Sequence, residues 1–343
     1  MTTSPLRLRL DAAALASNWR TLDAMSGSAA CGAAVKANGY GLGAVDIATR
    51  LARAGCRDFF VATWAEAAEL APLGLSVSVL HGIRAEDMPI ALSGIARPVL
   101  NSPAQIERWG AAGGGVCDVM IDTGMNRLGL SVDQALSGVL TGLEIDVLMS
   151  HLACADVDVA MNGAQLAAFA ALRGRSSAQR MSLANSAGIA LGPDYAFDLT
   201  RPGLALYGGV PRAEMATIQQ VVTPEAQIVQ RRCVPAGASI GYNATFTAAH
   251  DAEIAIINIG YADGYFRGFS GIGCGRWGDV ALPVVGRVSM DLVAIAVDRA
   301  PGLGEGDWVA LDYALPAAAA ASGMSQYELL VGLGRRFDPH WTA

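Results

Sequence analysis

The chain reads as an α/β protein: an N-terminal (β/α)8, TIM-like barrel followed by a predominantly β domain. Three observations carry that reading. Up to about residue 222, short apolar runs alternate with helical stretches, the βαβα order of a parallel sheet. Eight such runs suit the eight strands of a closed barrel, with an open doubly wound sheet as the alternative. Beyond residue 222 the texture changes to apolar runs separated by glycine-rich turns such as PAGAS, GYADG and GIGCGRWGD, the order of an all-β module. The expected division is 1–222 for the barrel and 223–343 for the β domain.

Taken in order, barrel strands are expected at 29–36, 58–63, 76–80, 97–100, 116–121, 144–150, 179–183 and 196–200. Helices are expected between them at 43–54, 64–71, 103–111, 132–140 and 162–173. In the second domain the strand expectations are 223–233, 237–246, 252–259, 279–285, 286–297 and 307–313. Residues 324–336 look helical there, and the alanine-rich 314–323 reads as a connector or loose helix.

Composition narrows the class. Of 343 residues, 52% are hydrophobic and 16% charged, which excludes a disordered chain. No apolar stretch approaches the length of a membrane helix. The net charge of −7 and the absence of a Lys/Arg block argue against a nucleic-acid partner. The N-terminus lacks a basic head followed by an apolar run, so no secretory signal is expected. The six cysteines form no CxxC pair and the four histidines no HxxxH pair, so neither a disulfide framework nor a metal site is indicated. A cytoplasmic setting follows as the expectation.

The 24 basic residues are 23 arginines and one lysine, Lys36. Arginine makes no imine and is a poor base, whereas a lysine amine can do both. Lys36 follows the apolar run AACGAAV and precedes ANGYGLG, so it ends a buried strand and enters a turn. It is a candidate for Schiff-base chemistry, with a structural role as the alternative. Tyr40, in the same turn, can offer its hydroxyl to an anion. The lysine precedes the glycines, so the segment is neither a Walker A loop nor a dinucleotide fingerprint.

Other polar groups also follow strand ends, where ligands bind in both candidate folds. SLANSAG and DLTRPGLALYGG offer Ser186 and the amides of Gly203 and Leu204 as an anion nest, although Ser186 taken alone reads rather as a helix N-cap. Pro202 holds Arg201 extended, and an ion pair is its structural alternative. Arg127, in DTGMNRLG, has the planar fork that suits a carboxylate. His151, in MSHLACAD, is either packed or a hydrogen-bonding aid. Tyr261 and Tyr265, in NIGYADGYFRG, and Met290, in GRVSMD, taken singly belong to ordinary loops.

Together, AVKANGYGLG, DTGMNRLG, MSHLACAD, LANSAG, DLTRPGLALYG, GYADGY and GRVSMD, in this order over nearly the whole chain, resemble the alanine racemases that depend on pyridoxal 5'-phosphate (PLP). The resemblance implies a barrel plus a C-terminal β domain, and a head-to-tail homodimer with shared active sites. It implies that Lys36 carries PLP and acts as the base on the D-amino acid side, while Tyr261 of the partner faces the L-enantiomer. His151 and Arg201 would link to Tyr261. Tyr40, Ser186, Gly203 and Leu204 would hold the phosphate, and Arg127 with the Met290 backbone the substrate carboxylate. A cationic Arg201 beside the pyridine nitrogen would disfavour its protonation and so suppress transamination.

The chain departs from the family pattern at three places. Seven residues before Arg127, where relatives often carry a carbamylated lysine, stands Met120, which leaves the charge partner of Arg127 open. A segment usually like SYGATY reads GYNATF, and a position where some members place a phosphate-binding tyrosine aligns with Arg335. Competing readings are a serine or broader racemase, a non-catalytic PLP-binding barrel, a basic-amino-acid decarboxylase of related fold, and a binding module. The second would lack the β domain that bears Tyr261. The third wants a cysteine donor that Cys274 does not convincingly supply. The last leaves Lys36 unexplained.

Overall fold

Eight parallel strands close into a barrel in the computed structural model, which describes residues 4–342. The first is split as Ala30–Cys31 and Ala33–Ala34. Asp58–Val61, Ser76–Val79, Arg97–Leu100, Cys117–Asp122, Ile145–Met149, Arg180–Ser182 and Leu199–Thr200 follow. Each expected barrel run overlaps one of them, the fifth strand extending one residue past its run to Asp122. Successive strands pair in parallel from Ala33–Ala34 round to Arg180–Ser182. The ring closes where Leu199–Thr200 pairs with Ala30–Cys31, and where Asp198 N–H donates to the Met181 carbonyl at 3.0 Å.

The helices between the strands form for local reasons. Ala44–Ala54 buries Ala44, Ile47, Ala48 and Leu51, one stripe at three- and four-residue spacing. Trp64–Leu70 starts with a capping box: Thr63 Oγ1 accepts from Glu66 N–H, and the Glu66 carboxylate accepts from Thr63 N–H. Pro103–Ala111 has Ser102 as its cap and proline in its first turn.

The N-terminal ends of the strands carry a closed ion network. Arg180 donates to both oxygens of Asp58, at 2.8 and 3.0 Å, and to both of Asp146, at 2.9 and 3.1 Å. Arg97 reaches Asp146 at 3.2 Å and Asp118 at 3.6 Å. Asp118 is fully buried and accepts from Ser78 Oγ at 2.6 Å and Val147 N–H at 3.0 Å. This floor lies opposite the strand ends that lead into Lys36, Arg127, His151 and Arg201.

The second unit comprises residues 1–14, 207–209 and 219–343. Its sheet runs Ala252–Ile257, Val293–Ala296, Val280–Val285, Cys274–Trp277, Trp308–Leu311, Val222–Val234, Leu6–Asp11 and Asp338–Thr342. The 13-residue Val222–Val234 also pairs with Ala252–Ile257, which closes six strands into an antiparallel barrel. Leu6–Asp11 lies antiparallel to the start of Val222–Val234 and parallel to Asp338–Thr342. The opening strand therefore clusters with this unit, whereas a cut at 222/223 counts it with the barrel.

Several elements differ from expectation. Segment 286–297 forms a strand only at Val293–Ala296, and residues 286–292 make the loop that bears Met290. Segment 237–246 is reduced to the small hairpin of Ser239–Ile240 with Phe246–Thr247. The glycine-rich GIGCGRWGD holds a strand, Cys274–Trp277, whose hairpin turns at Gly278 with φ 56°. Ala12–Met25 is a helix where none was expected, and Leu315–Ser322 resolves the alanine-rich connector as a helix. No helix among the described residues is long and apolar enough to cross a membrane.

Replacing Arg180 with alanine strips its donors from Asp58 and Asp146. We expect a loss of about 3 kcal/mol of stability, read as a lower urea midpoint by far-UV circular dichroism. Arg84→Ala, which removes an exposed pair with Asp87, should leave that midpoint in place.

Candidate active site

Lys36 follows Val35, which is fully buried and donates its N–H to the Phe60 carbonyl at 2.9 Å. The next five residues enter the left-handed region: Ala37 with φ 53°, Asn38 with 54°, Gly39 with 63°, Tyr40 with 56° and Gly41 with 89°. The sequence reading gave the turn to glycines 39, 41 and 43, but here the left-handed run includes three residues with side chains. Such a conformation costs an L-residue roughly 1–2 kcal/mol, and less for asparagine. Hydrogen bonds offset that cost. Gly39 N–H donates to Val35 O at 2.8 Å, Gly41 N–H to Ala37 O at 2.8 Å, and Gly43 N–H to Asn38 O at 2.9 Å. Ala44 N–H donates to Asn38 Oδ1 at 3.0 Å, and Ala37 N–H to Glu66 Oε1 at 2.6 Å.

The left-handed turn brings Tyr40 back beside the last barrel strand. A Cβ on Gly203 would stand 2.1 Å from the Tyr40 hydroxyl, so any side chain there would have to displace the Tyr40 ring. Ser186 Oγ accepts from Gly203 N–H at 2.9 Å and from Ala205 N–H at 3.2 Å. Its reading as an N-cap is corrected: Asn185 caps that helix by accepting from Gly188 N–H at 2.8 Å, which frees the Ser186 hydroxyl for the neighbouring loop. Tyr40, Ser186 and Gly203 thus meet at one place, and the second amide at the Ser186 hydroxyl is that of Ala205 rather than of Leu204. The strand that leads to Lys36 is adjacent, since Ala34 N–H donates to Pro202 O at 2.8 Å.

Around the Lys36 amine the charges are mostly positive. Burial lowers its pKa, the positive charges of Arg127 and Arg201 lower it further, and Glu66 opposes them. Arg201 is buried, and its guanidinium donates to Ser182 Oγ and the Ser150 carbonyl rather than to a carboxylate. Burial pulls its pKa down to about 10, with Asp118 acting in the other direction. Arg201 therefore stays cationic near neutrality. Burial, then the charges of Arg201, Lys36 and Arg127, push His151 down to about 3, so its imidazole is neutral in the working range.

Arg127 is exposed on the loop after Cys117–Asp122. The Asp122 carboxylate shapes that loop, accepting from Gly124 N–H at 2.8 Å and Arg127 N–H at 3.0 Å. Burial raises the Asp122 pKa, but the backbone donors of the loop outweigh it and hold the group below its usual value. Met120 is buried in the same strand. Asp122 and Glu66 were both missed by the sequence reading. The one signal for Glu66 was its place three residues after Thr63.

Tyr261 and Met290 meet in the second unit. Tyr261 N–H donates to the Ser289 carbonyl and Ala262 N–H to the Met290 carbonyl, both at 3.1 Å. A Cβ on Gly260 would lie 2.2 Å from Met290 O, so glycine permits the close approach of the two loops. Buried Asp263 accepts from Gly260 N–H at 3.0 Å and from Arg336 Nε at 2.6 Å. Arg336 also reaches Asp291 at 2.8 Å. Tyr261 and Met290 are 38% and 53% exposed. Tyr265, from the same motif, is core instead, stacked on Phe269 at 4.4 Å. Arg335 is exposed in the turn before Asp338–Thr342.

A family model described as alanine racemase, N-terminal domain, matches residues 10–211, and one described as alanine racemase, C-terminal domain, matches 221–341. The chain belongs to the alanine racemase family. An alanine racemase of Acidiphilium cryptum is 41% identical, over 96% of this chain and 97% of that one. The biosynthetic alanine racemase of Agrobacterium fabrum is 40% identical, over 98% and 93%. The crystal structure of alanine racemase from Bartonella henselae with covalently bound pyridoxal phosphate is 34% identical, covers 99% of this chain and 100% of its own, and superposes with a TM-score of 0.91. The resemblance carried by the seven segments is therefore one of family, and this alanine racemase-family chain has the two-part architecture that it implied.

The neutral His151 has a consequence for acid stability. Its folded pKa, about 3, lies below the usual 6.5, so the unfolded chain binds the extra proton between those values. Its share of stability is complete above pH 6.5 and is lost as pH falls towards 3. We expect the urea midpoint to drop less between pH 7 and pH 4.5 in His151→Asn than in the parent protein, each compared with its own value at pH 7.

Proposed function

We propose that this protein interconverts L-alanine and D-alanine with PLP as cofactor, in the cytoplasm, as a homodimer that either supplies D-alanine for cell-wall synthesis or serves alanine catabolism. The observation that carries the reading is the setting of Lys36. It is the chain's one lysine, it sits at a barrel strand end, its amine is depressed by burial and two arginines, and a hydroxyl-and-amide cradle lies on the adjoining strand. That arrangement fits a molecule with an aldehyde at one end and a phosphate at the other. Lys36 would hold PLP through its amine, with Tyr40, Ser186, Gly203 and Leu204 around the phosphate.

When bound, PLP supplies an electron-withdrawing system that makes the substrate α-proton removable. The residues do the rest. Racemisation needs a proton taken from one face and a proton returned on the other, hence two bases. Lys36, its amine pKa lowered by burial and by the charges of Arg127 and Arg201, serves the D-side, and Tyr261 of the partner subunit serves the L-side. Neutral His151 orients through hydrogen bonding rather than charge. Cationic Arg201 would keep the pyridine nitrogen unprotonated and limit transamination. Arg127 binds the substrate carboxylate with its planar fork, and the Met290 backbone of the partner closes on the same group. The exposure of Tyr261 and Met290 on their own chain supports a role completed by a second subunit.

The purified protein should show a visible absorbance band, and borohydride reduction should fix the pyridoxyl group within AVKANGYGLG. Lys36→Arg keeps the charge and should lose both the band and nearly all activity. A chiral screen that includes serine reads the substrate range. No band, or a pyridoxyl group elsewhere, would sink the reading.

Shared sites predict complementation. Lys36→Ala and Tyr261→Ala homodimers should each be inactive. Refolding an equal mixture makes about half the dimers mixed, each with one intact site, so activity should return to about a quarter of parent protein refolded in parallel. Inactivity despite demonstrated subunit exchange would mean that Tyr261 serves its own chain.

A further inference from the structure

We propose that Glu66 is a positioning residue for Lys36, its carboxylate clamping the left-handed turn that aims the lysine amine. The assignment rests on the reading of Lys36 as the residue that carries PLP.

The two oxygens of Glu66 do different work. Oε2 accepts from Ala62 N–H at 2.7 Å and Thr63 N–H at 3.1 Å, which is the capping duty of a residue at this position. Oε1 does not serve that helix end. It accepts from Ala37 N–H at 2.6 Å, across 29 residues of sequence. Ala37 directly follows Lys36 and is the first residue of the left-handed run. One carboxylate thus ties the lysine turn to the rigid start of the next barrel helix, and a helix cap alone would not need the second oxygen.

The charge acts in the same place. Of the groups that face the Lys36 amine, Arg127 and Arg201 are cationic and His151 is neutral. Glu66 is the acid that acts on it among the described residues, and it raises the amine's proton affinity against the other influences. Two arginines and burial drive the amine towards its free form, and Glu66 restrains them. The same side chain therefore holds the turn that directs the amine and opposes the loss of its proton.

Because the chain has one lysine, its amine can be titrated directly. Full-length protein freed of PLP is labelled with acetic anhydride across a pH series, and the Lys36 peptide is quantified by mass spectrometry. Glu66→Gln keeps the shape but loses the charge and one acceptor. The labelling midpoint should fall by about half a pH unit or more, and the PLP dissociation constant should rise about tenfold. Thr63→Ala is the control: it removes the cap from the same helix without touching Ala37. It should lower the melting temperature while leaving the Lys36 midpoint in place. If E66Q does not fold, Glu66→Asp replaces it. That carboxylate is too short to bridge both sites, and its midpoint should shift in the same direction by less. A midpoint unchanged in the Glu66 variant, or moved equally in T63A, overturns the assignment. The pyridoxyl map of the parent protein is a separate result: PLP found elsewhere than Lys36 defeats the proposed function but leaves the amine titration to decide the role of Glu66.

Discussion

A lysine that carries a cofactor, the role proposed for Lys36, must be held in one direction, and the left-handed turn at Ala37–Gly41 is the constraint that does so. Five successive left-handed residues, Ala37 to Gly41, reverse the chain after the first barrel strand. The reversal leaves Lys36 at the strand end and returns Tyr40 to the last strand, against Gly203. The amine and the anion cradle therefore belong to one piece of backbone geometry. Relaxing the turn to ordinary right-handed angles would separate them. The strain is tolerable because the flanking strands are buried and hydrogen-bonded on both sides.

Electrostatics then sorts the groups around that turn. Lysine, two arginines and a histidine crowd the strand ends, and they differ in how they respond. Arginine's intrinsic affinity for a proton is high enough that Arg201 remains charged even when buried. Histidine has no such reserve and becomes neutral. Lysine lies between, and its amine is moved towards its neutral form. The near-complete use of arginine elsewhere in the chain makes this contrast sharp. The barrel floor shows the opposite arrangement, with three aspartates interleaved with two arginines, and it is built for cohesion.

The second unit solves a related problem with different means. Two loops, one bearing Tyr261 and one bearing Met290, must present neighbouring groups while remaining open. Backbone hydrogen bonds join them, Gly260 allows their close approach, and Arg336 spans Asp263 and Asp291 behind them. Asp263 is buried, which raises its proton affinity, and the Arg336 guanidinium counters that. Rigidity is thus placed beneath the exposed side chains.

What the sequence determined by itself was whatever has a local periodicity or a singular residue. Eight apolar runs announced eight barrel strands, because burial on both faces of a parallel strand demands them. The change to glycine-rich turns marked the β domain, and the single lysine marked the site. Some local signals were present and went unread: leucines 6, 8 and 10 alternate with arginines, and all three are buried on one face of Leu6–Asp11. Other features had no local signal. Nothing in the letters Ala37 or Tyr40 favours a left-handed backbone. Nothing near Glu66 names Ala37 as its partner, and nothing near Arg336 names Asp263, 73 residues away. Sequence periodicity encodes which side chains are buried. Which carboxylate meets which donor is decided only when barrel closure brings strand ends together, and only the tertiary structure holds that information.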